Sequence, residues 1–87
     1  MSAAMVEQIR TRLEAALAPQ ELDVVDEGHL HAGHANAGKG HYRVRIVSRT
    51  FDGVMPLKRH RMIYLALHGL MDNGIHALAI EARSSGE

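Results

Sequence analysis

The sequence predicts a two-layer α+β sandwich, in which two helices cover one face of a three-stranded mixed sheet. Three observations support this: two stretches with helical periodicity, three shorter segments with strand character, and their α-β-β-α-β order along 87 residues. A chain of this length has room for one core. We therefore expect a single domain over residues 1–87, with an ordered core over about residues 3–82 and frayed residues after it.

Residues 3–18 are predicted to form the first helix, because apolar residues recur there at steps of three and four. Ser2 is suited to cap its start, and Pro19 ends the periodic stretch. The second helix is predicted over residues 56–72, since it begins with Pro56, and proline is favoured in a first helical turn. Asn73-Gly74 is a typical helix end.

The three predicted strands cover residues 22–26, 42–48 and 75–82. The second strand alternates apolar residues with Arg43 and Arg45, so one face is apolar and the other is charged. If the first two strands pair as a hairpin, Asp23 lies near Arg45 on the solvent face. The second helix links the second and third strands, and such a crossover favours parallel pairing.

Charge and cysteine content narrow the classes of function. The chain has 10 basic and 10 acidic residues, but seven of the basic ones lie between Lys39 and Arg61 with one acid, Asp52. There is no cysteine, which excludes a disulfide framework, thiol catalysis and cysteine-based zinc motifs. The sequence shows no signal-peptide pattern and no apolar run long enough to span a bilayer, so we expect a cytoplasmic protein without membrane contact.

The loop over residues 28–40 is the most unusual part of the sequence. It holds four glycines together with His29, His31 and His34, and it is long for a small domain, so we expect it to be mobile. Imidazole is a good ligand for zinc, iron and copper, which favours a metal site here. The alternative is a flexible surface loop whose histidines are merely polar.

His76 is the candidate for a further ligand outside this loop. It opens the third predicted strand and shares parity with Leu78 and Ile80, so it is expected to face an apolar side. The alternative for this residue is a histidine buried in the core.

A basic run opens the second predicted helix, where cations oppose the helix dipole. Such a run is either solvated or binds an anion, such as a phosphate backbone or the carboxylates of a partner. The predicted nucleic-acid or partner-binding residues are Lys58, Arg59, His60, Arg61, Arg43 and Arg45. Neither a catalytic triad nor a phosphate-cradling glycine motif can be identified, so no catalytic residue is assigned and no enzyme is expected.

Several segments together resemble the BolA family over nearly the whole chain, from about residue 6 to residue 82. They are Val25-Asp26-Glu27, His31-Ala32-Gly33-His34, His41-Tyr42-Arg43-Val44, Phe51-Asp52-Gly53, Arg59-His60-Arg61-Met62-Ile63-Tyr64 and Ile75-His76-Ala77-Leu78-Ala79-Ile80. The resemblance implies a class II KH-like fold, in agreement with the α-β-β-α-β order.

The resemblance also implies a partner and a cofactor. BolA-like proteins pair with monothiol glutaredoxins through a bridging 2Fe–2S cluster, to which the partner's cysteine and a glutathione thiol contribute. The BolA-like protein supplies the histidine that matches His76 and a loop ligand that is cysteine in some members and histidine in others. His31 is the best positional match for the loop ligand, and His34 is its rival. This implies a non-enzymatic role in iron–sulfur cluster trafficking or iron and redox regulation, with the chain alone a monomer or weak homodimer.

Two other functions stay open. KH-like folds often bind nucleic acid, which makes a transcriptional regulator that binds DNA through residues 58–61 the main alternative. Against it, Gly53-Val54-Met55-Pro56 lacks the second glycine of a GXXG loop, and three aromatic residues leave little surface for base stacking. The third possibility is an adaptor without metal, whose basic patch docks an acidic partner.

Overall fold

A computed structural model of the chain describes residues 2–28 and 40–87. In chain order the elements are α1 (Ser2–Leu17), β1 (Glu21–Asp26), β2 (His41–Val47), α2 (Pro56–Ala66) and β3 (Ala77–Arg83). A 3-10 turn, Arg49–Phe51, follows β2. The predicted order of elements is confirmed.

β2 is the central strand of the sheet. It pairs antiparallel with β1 and parallel with β3, so the sheet is mixed as predicted. The register places Asp23 of β1 opposite Arg45 of β2, which confirms the expected neighbours. Glu81 of β3 lies on the other side of Arg45 and forms a salt bridge with it at 3.3 Å. The open face of the sheet therefore carries charges of alternating sign across the three strands.

The opposite face of β2 forms the centre of the core. Tyr42, Val44 and Ile46 are buried there, as the two-residue period of a strand requires. Both helices turn their apolar stripes to this face, which confirms the two-layer arrangement. The buried apolar residues are Ile9, Leu13, Leu17, Tyr42, Val44, Ile46, Phe51, Ile63, Leu67, Leu70 and Ile75.

The end of α1 is fastened to the turn after β2. The buried Ser48 hydroxyl donates a hydrogen bond to the Leu17 carbonyl at 2.6 Å, and the Thr50 hydroxyl donates to the same oxygen at 3.1 Å. Ala18 then adopts a left-handed φ of 43°, and Pro19 prevents further helix. These hydrogen bonds satisfy a carbonyl that the helix itself leaves without a partner.

α2 is shorter than predicted, because it ends at Ala66 rather than near residue 72. The chain continues in turns, with i→i+3 hydrogen bonds such as that from the Leu70 amide to the Leu67 carbonyl at 2.9 Å. Gly69 has a left-handed φ of 88°, which stops the helix well before Asn73-Gly74. The Arg12 guanidinium of α1 donates to the Ala66 and His68 carbonyls at 3.4 and 2.8 Å and so satisfies the end of α2.

The residues after β3 pack against the rest of the fold, although they were expected to fray. Ser84 is buried, and the Glu87 carboxylate receives hydrogen bonds from Arg59 at 2.7 and 2.9 Å. The Ser85 hydroxyl donates to Asp52 at 3.0 Å. Side chains far away in the sequence therefore hold this segment, which local sequence does not reveal.

Candidate functional site

Two histidines meet at one end of the sheet, where the parallel strands β2 and β3 both begin. His41 is the first residue of β2, and His76 stands immediately before β3. Their rings are stacked, with centroids 5.8 Å apart and planes inclined by 9°. His76 is exposed and His41 is half-buried. We call this end of the sheet, formed by Gly40, His41 and His76, the histidine rim.

The backbone of Gly40 fixes the position of His76. The Gly40 carbonyl accepts hydrogen bonds from the amides of His76 at 2.7 Å and Ala77 at 3.1 Å. Gly40 has a left-handed φ of 71°, and a Cβ atom there would lie 2.5 Å from the Gly74 oxygen and 2.8 Å from the His76 nitrogen. Only glycine allows the chain to approach His76 this closely.

The loop that was predicted to supply a ligand starts and ends beside this rim. At its start, the Glu27 amide donates to the His41 carbonyl at 2.8 Å, and the Gly28 amide donates to the Asp26 carboxylate at 2.8 Å. At its end lies Gly40, bound to His76.

The loop ligands themselves, His31 and His34, lie outside the described residues, as does most of the loop that was predicted to be mobile.

Charged side chains next to the rim change the pKa values of two neighbouring groups. The Arg43 guanidinium donates to the Glu27 carboxylate at 2.7 Å, and this hydrogen bond raises the pKa of the guanidinium. Burial, and to a lesser extent the charge of Asp26 on the paired strand, raise the pKa of Tyr42 above its ordinary value. Tyr42 therefore stays neutral throughout the physiological range.

The expectation that His76 faces an apolar side is wrong. His76 precedes the strand rather than belonging to it, and its side chain is exposed, so it is not a core histidine. Sequence reasoning did not pair it with His41. The predicted parallel pairing of the two strands could have revealed this contact, because that pairing places residue 41 beside residue 77.

The rim can supply imidazole ligands but not a complete metal site. A cavity of about 280 Å³ opens beside it, lined by Gly40, Met71, Asp72, Gly74, Ile75 and His76. Over residues 2–28 and 40–87, no group of three histidine, cysteine, aspartate or glutamate side chains is placed to hold a metal ion. Any metal centre here needs ligands from beyond these residues.

Arg59 belongs to the packing of the domain rather than to an exposed basic surface. It is buried, donates to the Val54 and Ala82 carbonyls at 2.7 and 3.1 Å, and lies over the Phe51 ring at 5.9 Å. Its bidentate hydrogen bonds with Glu87 raise the pKa of Arg59 and, with the Ser84 amide, lower the pKa of Glu87 to about 2. We call this cluster the Arg59 corner.

The other predicted basic residues fall in two places. Arg43 and Arg45 lie on the open face of the sheet, where each pairs with a glutamate. Lys58 and Arg61 are exposed on α2, and His60 is half-buried beside them. The structure therefore brings together Lys58, His60 and Arg61, and it separates them from the arginines of the sheet.

In the parts of the chain that the structure describes, no helix is long and apolar enough to cross a membrane.

Comparison with known proteins agrees with this fold. The family model for BolA-like protein matches residues 13–87. SufE-like protein 1, chloroplastic/mitochondrial, from Arabidopsis thaliana is 42% identical over 87 residues, covering 92% of this chain and 24% of that protein. The DNA-binding transcriptional regulator BolA of Escherichia coli (strain K12) is 42% identical over 74 residues, covering 85% of this chain and 70% of that protein.

A solved structure of a BolA domain has the same fold. The BolA domain of SufE1 from Arabidopsis thaliana has a TM-score of 0.84 and 43% identity, covering 94% of this chain and 93% of that one. A small α+β domain with two helices on a three-stranded mixed sheet is thus common to both. The chain belongs to the BolA-like family. It spans about a quarter of the length of SufE-like protein 1.

Proposed function

We propose that this chain is a non-enzymatic BolA-like protein that partners a monothiol glutaredoxin and co-ligates a bridging 2Fe–2S cluster through histidines. Its role would lie in iron–sulfur cluster trafficking or in iron and redox regulation. The observation that carries the proposal is the position of His76, which is exposed at the rim, stacked against His41 and held by the Gly40 carbonyl. An imidazole placed in this way is open to a ligand bound from outside.

The donor set fits a shared cluster. Iron–sulfur clusters are held mainly by thiolates, and this chain has no cysteine. The partner's cysteine and glutathione would supply the thiolates, and this chain would supply imidazole. When bound, a cluster with imidazole on one iron has a higher reduction potential than one held by thiolates alone, as Rieske centres do.

The loop over residues 29–39 is proposed to supply the second ligand. His31 and His34 lie outside the described residues, but the two ends of the loop are fixed at the rim by Glu27 and Gly40. His31 follows Gly28 by three positions, and His34 is six positions from Gly28 and from Gly40. His31 is the first candidate, because it is the better positional match to the loop ligand of BolA-like proteins, and His34 is the second.

The test is anaerobic reconstitution with a monothiol glutaredoxin, glutathione, iron and sulfide, followed by visible circular dichroism and size-exclusion chromatography. We expect a one-to-one complex whose cluster spectrum changes in His76→Ala. The matched control is His68→Ala, because that histidine is exposed like His76 and is not among the predicted site residues. His31→Ala and His34→Ala, made separately, identify the loop ligand.

Each outcome has a clear meaning. A complex whose spectrum is identical in wild type and His76→Ala removes His76 from the ligand set. A complex that forms without any cluster signal supports the adaptor function instead. If no complex forms with glutaredoxin, the proposal fails and the nucleic-acid function becomes the leading one.

Nucleic-acid binding is the second candidate function, supported by the name of the Escherichia coli relative and by the exposed cations Lys58 and Arg61. The burial of Arg59 takes one cation away from this surface. Titrating duplex DNA at increasing salt tests it, since each phosphate contact steepens the loss of affinity. A salt slope that falls in a Lys58→Ala, Arg61→Ala double variant, together with a sequence preference, supports regulation. A slope without preference indicates electrostatic attraction alone.

The remaining parts of the proposal concern the state of the protein in the cell. We propose a cytoplasmic protein without membrane contact, and a monomer or weak homodimer in the absence of glutaredoxin. Sedimentation of the isolated chain over a range of concentrations measures that last property directly.

A further inference from the structure

An apolar groove lies between the two helices, away from the histidine rim. It has a volume of about 400 Å³ and is lined by Ala16, Leu17, Thr50, Met62, Leu65 and Ala66. Leu65 is 77% exposed and adjoins the other apolar residues of this lining, and a contiguous exposed apolar patch is typical of an interaction site. We call this feature the α1–α2 groove.

Cations are neighbours of lining residues on both walls of the groove. On α2, Lys58 precedes Met62 by one turn and Arg61 precedes Leu65 by one turn, which places each pair on neighbouring positions of the helix.

The same arrangement is found on the other wall of the groove. Arg12 precedes Ala16 by one turn of α1, and Arg49 is adjacent to Thr50. All four of these cations are exposed: Arg12, Arg49, Lys58 and Arg61.

On the α2 wall of the groove, acidic side chains do not compensate these charges. From Gly53 to Met71 the sequence contains no aspartate or glutamate. Within residues 2–28 and 40–87, Arg49, Lys58 and Arg61 take part in no salt bridge. This contrasts with the open face of the sheet, where the arginines are paired.

We propose that the α1–α2 groove binds an acidic amphipathic helix of a partner protein. Its apolar face would pack on Met62 and Leu65, and its carboxylates would meet Lys58 and Arg61. This is the helix-in-groove mode of recognition, in which apolar anchors at steps of three and four enter a hydrophobic groove. The proposal is independent of His76 and of any cluster.

The combination of apolar and cationic groups favours an acidic protein helix over nucleic acid and over a membrane surface. Nucleic acid would use the cations, but it would gain nothing from an exposed leucine at the centre of the surface, since phosphate contacts carry most of its affinity. A membrane-binding helix lies in the bilayer interface and buries its apolar face among the lipid chains. Here Leu65 instead lines a groove between two helices, and a concave apolar groove flanked by cations fits an acidic protein helix better.

The probe is a fluorescein-labelled, end-blocked peptide of 16 designed residues, with leucines at steps of three and four and glutamates at the flanking positions. Binding is measured by fluorescence anisotropy and located by amide chemical-shift changes. We expect binding to the wild-type chain, with shifts at residues lining the groove. Leu65→Ser should weaken binding about tenfold or more, because it removes the most exposed apolar contact. The double variant Lys58→Glu, Arg61→Glu should weaken it at least as much.

The controls separate shape from charge. Val25→Ser, which removes an exposed apolar side chain from the open face of the sheet, should leave the affinity unchanged. A peptide with lysine in place of glutamate should not bind, and neither should a scrambled peptide of the same composition. Thermal melts establish that each variant is folded, which the exposure of the substituted residues favours.

Four results would overturn the proposal. They are the absence of peptide binding, equal affinity of the scrambled peptide, an affinity unaffected by Leu65→Ser, and shift changes confined to the sheet. Binding of duplex DNA or of phosphatidylserine vesicles that depends on Leu65 more strongly than peptide binding does would also overturn it, because it assigns the groove to a different occupant.

Discussion

The histidine rim and the Arg59 corner both bring ionisable side chains together from distant parts of the sequence, but their surroundings differ. At the rim, His76 is exposed, and its contact with His41 is a ring stack. At the corner, the Arg59 guanidinium is buried and satisfied by two carbonyls and a carboxylate. Removing a buried charge that is fully hydrogen-bonded leaves its partners unsatisfied and destabilises the fold, whereas an exposed imidazole is available to an external ligand. The corner is therefore structural, and the rim is the better candidate for function.

The largest effect is expected from removing the guanidinium at the corner. Arg59→Met leaves the Val54 and Ala82 carbonyls without their donor and should lower the Tm by roughly 15 °C. Arg61→Met, a neighbouring exposed cation on the same helix, should change the Tm by about 2 °C or less. Calorimetry on both variants checks this. Similar Tm values for the two variants would show that the buried Arg59 contributes little to stability. The distinction between a structural corner and a functional rim would then be wrong.

The second effect distinguishes two glycines with nearly the same backbone conformation. Gly40 has φ 71° and a crowded Cβ position, while Gly53 has φ 73° and no atom within 4 Å of that position. Gly53→Ala should cost about 1 kcal/mol from left-handed strain alone, and Gly40→Ala about 2 kcal/mol or more because its Cβ also collides with the backbone around His76. Urea unfolding measures both free energies. Equal losses of unfolding free energy would mean that the backbone around His76 moves to accommodate the added Cβ atom.

A third prediction concerns pH at the corner. The pKa of Glu87 is lowered from 4.5 to about 2, mainly by its hydrogen bonds with Arg59. Its contribution to stability is complete above pH 4.5, where the unfolded carboxyl is also ionised, and is lost as the pH falls toward 2. The Tm of Glu87→Gln should therefore fall less steeply than that of the wild type between pH 4.5 and 2. Parallel curves for the two proteins would remove Glu87 from the pH response.

The smallest effect on stability is expected at the rim itself. His76→Ala removes an exposed side chain outside any strand and should change the free energy of unfolding by about 0.5 kcal/mol or less. His41→Ala should cost somewhat more, since His41 is half-buried. Denaturant titrations of both variants test this. A large loss of unfolding free energy in His76→Ala would show that the rim is structural, like the corner. A change in the cluster spectrum of this variant would then no longer be evidence that His76 is a ligand.

The parts of the fold that sequence predicted correctly depend on short-range periodicity. The alternation of Val44 and Ile46 with Arg43 and Arg45 gave the central strand, its buried face and the neighbour of Asp23. Periodicity failed at the end of α2, because Leu67 and Leu70 continue a helical spacing although the chain has already turned. Buried residues at such spacings satisfy the same pattern whether they lie in a helix or in successive turns.

The candidate site was less predictable, because its contacts join residues far apart in the chain. Arg59 lies in a run that resembles a solvated basic surface, but its guanidinium is hydrogen-bonded to Glu87, 28 positions later. His76 was singled out from the sequence, but its exposure and its stack with His41 follow from where β3 starts. A shift of two residues in the start of that strand, from 75 to 77, reversed the expected environment of the histidine.

The hydrogen bonds to the Gly40 carbonyl make movement of Gly40 measurable by amide exchange. Because the amides of His76 and Ala77 both donate to this one oxygen, a displacement of Gly40 frees both N–H groups from their acceptor at the same time and exposes them to solvent. Hydrogen–deuterium exchange at these two amides should then rise in concert, with a single opening rate. A movement of Gly40 is thus detected at residues 76 and 77, far from it in the sequence.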